Sequence, residues 1–133
     1  MNERTSLDPA GHIKLSTSNS KKSRSFYAVL FRKLGFKQVA DYKTSAAWVT
    51  RERFGIWVCQ ATILQPSYVF SAPGLHHVCF KAMTREDVDK IYAFLKHRTR
   101  IFEKPSDYPD YSPHYYAVFF ADPDGIKLEV AYY

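Results

Sequence analysis

Residues 11–15 read Gly-His-Ile-Lys-Leu, and residues 76–80 read His-His-Val-Cys-Phe. When His12 is aligned with His77, an offset of 65 residues, the apolar and aromatic positions of the segments that follow coincide as well. An internal repeat of this kind indicates two copies of one supersecondary unit, so it decides the architecture. It also puts a histidine, a common metal ligand, at the same place in each half.

The first half of the chain predicts one strand, one helix and three further strands. Polar and apolar residues alternate over 12–17, as in a strand, and apolar residues with helical spacing then continue to Gly35. The segments 36–42, 46–50 and 54–62 read as three short strands. The predicted order is strand, helix, strand, strand, strand.

The second half predicts the same order. Its elements are a strand over 75–81, a helix that begins after the near capping box at 84–87, and strands over 101–103, 115–121 and 126–133. Residues 104–114 contain three prolines and predict a long loop. Residues 122–125, Asp-Pro-Asp-Gly, predict a turn, because Pro sets φ and Gly supplies a positive φ.

These patterns predict an α+β fold of two βαβββ modules. We expect a flexible tail over 1–10, a first module over 11–63, a linker over 64–73 and a second module over 74–133. The length suits one compact domain formed by two small modules.

The positive charge of the chain does not predict a nucleic-acid partner. The formal net charge is +6, and many basic residues lie between Lys21 and Lys37. Nucleic-acid grooves interleave basic residues with exposed aromatic residues, whereas Phe26, Tyr27 and Phe31 have the spacing of an apolar helix face. We interpret the basic stretch as the solvated side of the first helix.

The sequence also predicts a cytoplasmic protein that has no membrane partner. Its longest apolar runs, such as 115–121, are too short to span a bilayer, and the N-terminus lacks a signal-peptide pattern. Two cysteines in this length do not make a disulfide framework. We therefore expect Cys59 and Cys79 to be reduced thiols.

Strand parity sorts the side chains of the fifth strand. Val78 and Phe80 are apolar and should face the helix, so His77 and Cys79 should face the other way. His76 should then share the side of Val78. Parity and the repeat therefore both favour His77 over His76 as a site residue.

The same parity applied to the first and last strands predicts a metal site. His12 and Lys14 alternate with apolar residues, and so do Lys127 and Glu129, so all four should point away from the helices. Two imidazoles and one carboxylate form a recognised ligand set for a divalent ion with open coordination positions. The predicted ligands are His12, His77 and Glu129.

Alternative interpretations of these residues stay open. A single strand histidine is usually a solvated or hydrogen-bonded polar residue, and Glu129 could simply pair with Lys127 or Lys14. Residues 55–59 align with 125–129, so Cys59 corresponds to Glu129. A thiolate at Cys59 could complete a zinc site, but a buried cysteine behaves more often as a small hydrophobic residue, and we favour that interpretation.

Five segments carry a resemblance to a known family: 12–15, 26–27, 34–36, 74–80 and 120–129. The most specific is 120–129, which reads Phe-Ala-Asp-Pro-Asp-Gly-Ile-Lys-Leu-Glu. Together they resemble the vicinal oxygen chelate superfamily, which includes glyoxalase I, bleomycin-resistance proteins, fosfomycin-resistance transferases and extradiol dioxygenases. The resemblance covers nearly all of the chain after residue 10.

The resemblance implies a curved mixed sheet around a concave site, with the helices on the outside. It implies one divalent metal ion (Zn, Mn, Fe, Ni or Co), and the family ligand positions fall on His12, His77 and Glu129. It further implies a small-molecule substrate with two adjacent oxygens and a homodimer. The two modules would pair either within one chain or across that dimer.

The sequence departs from individual branches of the family. Glyoxalase I has a carboxylate where this chain has Cys59. Fosfomycin-resistance enzymes have Thr and Tyr where this chain has Lys14 and Phe119. The resemblance is therefore to the superfamily rather than to any one of its activities.

We expect a small metalloenzyme, with lyase or isomerase chemistry favoured, that acts on a small oxygenated and anionic substrate. The candidate catalytic residues are Lys14, Cys59 and Tyr115, and the candidate substrate-binding residues are Lys14, Trp57, Tyr115 and Phe119. The alternative is a binding protein that sequesters a flat or anionic small molecule without transforming it.

Overall fold

The computed structural model describes residues 10–133. The tail predicted over 1–10 lies outside the described residues except for Ala10. The chain divides into two compact units, one that ends at Ile63 and one that begins at Leu64. Each unit contains one helix and one four-stranded sheet in the order βαβββ, which confirms the predicted α+β fold of two such modules.

The first unit contains a mixed sheet with strand order β1-β4-β3-β2. Its elements are β1 (His12–Thr17), α1 (Ser20–Leu34), β2 (Lys37–Asp41), β3 (Ser45–Val49) and β4 (Gly55–Gln60). Strand β1 runs parallel to β4, and the other neighbours are antiparallel. A parallel pair requires a crossover connection, and α1 begins that connection.

Helix α1 begins and ends where the sequence supplies caps. The Asn19 side chain accepts a hydrogen bond from the Lys22 backbone N–H at 3.1 Å. Gly35 follows the last turn with φ of 85°, a left-handed conformation that favours glycine. The Phe36 N–H donates back to the Phe31 carbonyl at 2.8 Å, and the Gly35 N–H donates to the Arg32 carbonyl, so two carbonyls of the last turn are satisfied.

The second unit repeats this arrangement with strand order β5-β8-β7-β6. Its elements are β5 (Val78–Lys81), α2 (Arg85–Leu95), β6 (Ile101–Asp107), β7 (Tyr116–Ala121) and β8 (Lys127–Tyr132). Strand β5 runs parallel to β8. Thr84 caps α2 by accepting a hydrogen bond from the Asp87 N–H at 3.0 Å.

Strand β6 is longer than the sequence predicted. The predicted strand ended at residue 103, and the prolines after it predicted a loop, whereas β6 continues to Asp107 through Pro105. Strand β6 is an edge strand, and its register shifts between Glu103 and Ser106. A proline is tolerated at such an irregular edge, because its missing N–H interrupts no pairing on the outer side.

Each sheet packs one face against its own helix. In the first unit, Tyr27, Leu30 and Phe31 of α1 are fully buried, as are Ile56 and Val58 of β4. The equivalent core of the second unit comes from α2, β7 and β8: Val88, Ile91, Leu95, Val118, Phe120, Leu128 and Val130. We call the opposite side of each sheet its helix-free face.

The turn at 122–125 determines where β8 begins. Asp122 is buried, and its Oδ1 accepts hydrogen bonds from the backbone N–H groups of Asp124 at 2.8 Å and Ile126 at 2.9 Å. Gly125 has φ of 81° and donates its N–H to the Asp122 carbonyl. The turn predicted from the sequence is therefore closed by a buried carboxylate as well as by proline and glycine.

Within the described range, residues 10–133, neither helix is long and apolar enough to cross a membrane.

Replacing Asp122 with Ala should lower the free energy of unfolding by about 1–3 kcal/mol, because two backbone N–H groups at the start of β8 lose their acceptor. Urea denaturation followed by circular dichroism measures the change. The control is Asp110→Ala in an exposed loop, which should change stability by less than about 0.5 kcal/mol. Equal stability of the two variants would contradict the role of Asp122.

Candidate functional site

A buried carboxylate lies at the centre of the helix-free face of the second sheet. Glu129 on β8 is only 2% exposed. Its Oε1 accepts a hydrogen bond from the Tyr115 hydroxyl at 2.5 Å, and its Oε2 lies 3.1 Å from His77 Nε2. The structure therefore brings together two of the three predicted metal ligands, His77 and Glu129, along with Tyr115.

His77 is oriented by the residue that precedes it. The Nδ1 atoms of His76 and His77 are 2.7 Å apart, and the Phe70 ring meets the His76 ring edge-on at 4.6 Å between centroids. Both histidines precede β5, which begins only at Val78, so strand parity does not govern them. His76 is exposed and contacts His77, and the expectation that it shares the side of Val78 stays a prediction.

Cys79 lies on β5 directly opposite Glu129 on β8. Although part of the residue is exposed, loss of hydration around the thiol and the negative charge of Glu129 raise the pKa of Cys79 to about 12. The thiol is therefore protonated at neutral pH and is a poor nucleophile. Cys59 and Cys79 are both free cysteines.

A cluster of four tyrosines adjoins Glu129, and we call it the tyrosine cluster: Tyr108, Tyr111, Tyr115 and Tyr133. Tyr115 stacks on Tyr133 with ring centroids 4.9 Å apart, and Tyr108 stacks on Tyr111 at 5.2 Å. The Tyr111 ring also meets Tyr115 edge-on at 5.2 Å. Of these four residues only Tyr115 was predicted from the sequence, although the density of tyrosines between 108 and 116 is visible there.

The hydroxyl of Tyr115 is in its donor form. Burial, followed by the hydrogen bond to Glu129, raises the pKa of Tyr115 above its ordinary value. A phenol that stays protonated can donate a hydrogen bond at neutral pH but cannot accept a proton from a substrate. Tyr115, one of the candidate catalytic residues, is therefore unsuited to act as a general base.

Phe119 forms the base of this face rather than an exposed wall. It is 5% exposed and lies under Tyr108, whose ring meets it edge-on at 5.5 Å. The ammonium group of Lys127 lies 4.4 Å from the centroid of the Phe119 ring and 4.9 Å from that of Phe70. Lys127 therefore stays above the sheet near the Glu129 site, held by cation–π contacts.

The helix-free face of the first sheet is aromatic and basic. Lys14 on β1 is opposite Trp57 on β4, and its ammonium group lies 5.4 Å from the centroid of the Trp57 ring. The exposed Tyr42 ring lies parallel to Trp57 at 6.4 Å. Lys14 and Trp57, both candidate substrate-binding residues, therefore lie together.

His12 begins β1 and is exposed. It is opposite Gly55, and a Cβ atom placed on Gly55 would approach the His12 Cβ to 3.1 Å. Glycine at this position therefore leaves room for the imidazole. His12 belongs to the first unit, and its role as a metal ligand stays a prediction.

The strand register corrects the proposed equivalence of Cys59 and Glu129. Glu129 pairs with Cys79, two residues after His77, whereas the residue opposite Lys14, two residues after His12, is Trp57. If His12 corresponds to His77, then Trp57 and not Cys59 corresponds to Glu129. The two local alignments differ by two residues, because side chains on one face recur every second residue and both alignments satisfy the parity.

The His77–Glu129 pair has the donor chemistry of a divalent metal site. Imidazole nitrogen and carboxylate oxygen are both ligands of first-row divalent ions. Within neither unit, over residues 10–133, do three His, Cys, Asp or Glu side chains converge on one point. His77 and Glu129 are therefore the two predicted metal ligands that lie close together within one unit.

The chain matches the family model described as the Glyoxalase/Bleomycin resistance protein/Dioxygenase superfamily over residues 10–130. It is 32% identical over 123 residues to the uncharacterized protein YqjT of Bacillus subtilis (strain 168). The aligned segment covers 90% of this chain and 94% of that protein.

Solved structures have the same fold. A protein of Bacillus halodurans, proposed to be a glyoxalase, is 25% identical with a TM-score of 0.81, and the match covers 94% of this chain and 96% of that one. A glyoxalase/dioxygenase from Nostoc punctiforme is 18% identical with a TM-score of 0.72, and the match covers 97% of each chain.

Cys79 should react slowly with iodoacetamide in metal-free protein at pH 8, at least about 100-fold more slowly than a short cysteine peptide, because little thiolate is present. Glu129→Gln should speed the reaction, since removal of the negative charge lowers the thiol pKa. Timed alkylation followed by peptide mass spectrometry measures both rates. Alkylation of Cys79 at the rate of the peptide would contradict the raised pKa.

Proposed function

Because the chain belongs to the Glyoxalase/Bleomycin resistance protein/Dioxygenase superfamily, we propose that it is a small metalloenzyme that binds one divalent metal ion and a small oxygenated, anionic substrate. The observation that carries the proposal is the contact between His77 Nε2 and the buried Glu129 Oε2 at 3.1 Å. A buried carboxylate that faces an imidazole is a site where a cation satisfies both groups.

We propose His77, Glu129 and His12 as the residues that hold the ion. When bound, a divalent ion supplies Lewis-acid stabilisation of negative charge on a substrate oxygen, which suits lyase or isomerase chemistry. Glu129 contributes a buried carboxylate, and Tyr115 and His76 contact the two proposed ligands of the second unit. Zn, Mn, Fe, Ni and Co all accept such ligands.

Two lysines support the choice of an anionic substrate. Lys14 lies over Trp57 and Lys127 lies over Phe119, so each ammonium group lies beside an aromatic ring of its helix-free face. A cation held over an aromatic ring can bind a carboxylate or phosphate while the ring packs against the rest of the molecule. Trp57 and the edge of Tyr115 complete the proposed substrate contacts.

The proposed proton transfer relies on a small set of groups. Tyr115 stays protonated and its hydroxyl donates to Glu129, and Cys79 is also protonated at neutral pH, so neither is suited to act as a base. Lys14 and Cys59 remain the candidate bases. The proposal also includes a homodimer and a cytoplasmic location, the latter supported by two free cysteines.

A binding protein without catalysis is the second candidate function. The parallel rings of Tyr42 and Trp57, with Lys14 over the indole, form an aromatic and basic surface that suits a flat anion. Tight binding of such a molecule by metal-free protein, with no conversion after metal addition, would favour sequestration over catalysis.

His77→Ala should reduce the metal content of protein purified without chelators or metal-affinity steps from about one ion per chain to background. His12→Ala should also reduce it. Elemental analysis by mass spectrometry measures the content, and His97→Ala, an exposed histidine beyond α2, is the matched control and should retain the wild-type content. Wild-type content in the His77 variant would refute the proposed ligand.

Small carboxylic acids should raise the melting temperature of the metal-loaded protein more than their neutral amides do, because Lys14 and Lys127 attract a negative charge. A thermal-shift screen of matched acid and amide pairs measures the preference. Lys14→Met should weaken the preference, whereas Lys43→Met, an exposed lysine in the β2–β3 connection, should leave it unchanged. Equal stabilisation by acid and amide would remove the claim of an anionic substrate.

A further inference from the structure

The two oxygens of the Glu129 carboxylate have different partners. The Tyr115 hydroxyl donates to Oε1 at 2.5 Å, whereas Oε2 faces His77 Nε2 at 3.1 Å. Glu129 is buried, and its strand pairs with β5 on one side and with β7 on the other, so the carboxylate is confined between these two partners. Its two oxygens therefore lie in different surroundings.

Tyr115 is itself held from several sides. Its ring stacks on Tyr133 and meets the edges of Tyr108 and Tyr111. Its backbone also pairs with Tyr108 across the loop after β6, with the Tyr108 N–H donating to the Tyr115 carbonyl at 2.9 Å. The ring packing and this backbone contact fix the direction from which the hydroxyl approaches Glu129.

From this geometry we infer that Tyr115 is the positioning residue of the metal site, holding Oε1 of Glu129 so that Oε2, beside His77 Nε2, is the oxygen left for the ion. The inference rests on the proposed function, because it assigns a role toward the proposed ion. It differs from the earlier hypotheses for Tyr115, which were catalysis and substrate binding. Partners of metal ligands typically contribute about 10- to 100-fold in metal affinity.

Tyr108 provides a matched control. It belongs to the same tyrosine cluster, and it packs against the same buried residues, but its hydroxyl donates to Glu103 and not to Glu129. Replacement of either tyrosine with Phe removes one hydroxyl and keeps the ring. A difference between Tyr115→Phe and Tyr108→Phe therefore reports the hydrogen bond to Glu129 and not the loss of aromatic packing.

The test is titration of metal-free protein with Co²⁺, with affinity measured by competition with a chelator and coordination by the visible absorption spectrum. Tyr115→Phe should weaken Co²⁺ binding about 10- to 100-fold and shift the absorption bands, because the freed carboxylate can offer either or both oxygens. Tyr108→Phe should match the wild type in both measurements. Wild-type affinity and spectrum in Tyr115→Phe would overturn the inference.

The outcome for the wild-type protein separates this inference from the proposed function. Absence of Co²⁺ binding by the wild type refutes the metal site itself. Normal binding by the wild type, with the same affinity and spectrum in Tyr115→Phe, refutes only the role of Tyr115. If Tyr115→Phe does not fold, proton NMR of the wild type carries the test. The hydrogen-bonded Tyr115 hydroxyl proton should persist and shift when Zn²⁺ is added, and its disappearance would overturn the inference.

Discussion

The second unit depends on how it accommodates one buried carboxylate. Glu129 is 2% exposed, and an ionised carboxylate without partners is strongly unfavourable in such an environment. Tyr115 and His77 meet its two oxygens from different sides, and His76 in turn contacts His77. Removal of either partner would leave one carboxylate oxygen without the contact that it has here. The polar contacts described on the helix-free face of this sheet therefore centre on the Glu129 side chain.

The position of Glu129 depends on the turn that precedes its strand. The buried Asp122 carboxylate accepts two backbone N–H groups and so fixes the residue at which β8 begins. Because side chains alternate along a strand, a slip of one residue would turn Glu129 toward the helix and Leu128 toward the site. The segment from Asp122 to Glu129 is the most specific part of the family resemblance. Its turn determines which residues of β8 face the helix and which face the site.

The two units share a topology but present different chemistry. The second unit offers an imidazole and a carboxylate, whereas the first offers Lys14 over Trp57 beside an exposed histidine. The pairing of the parallel strands explains the difference, since Trp57 stands relative to His12 where Glu129 stands relative to His77. A duplicated scaffold can therefore keep its core while one face diverges, because only core positions must remain apolar to bury the helix.

The sequence by itself determined the two modules, the helix ends and the turn at 122–125, because period, caps and turn residues act over a few neighbouring positions. Alternation also assigned Glu129 to the helix-free face of its strand, whereas His77, which precedes β5, was indicated by the internal repeat. Only the tertiary structure decided that Tyr115 binds Glu129 and that His76 contacts His77. It also decided that Trp57, and not Cys59, is the residue of the first unit that corresponds to Glu129. These relations depend on strand pairing and loop packing between distant segments, and alternation along one strand is the same for every register that differs by two residues.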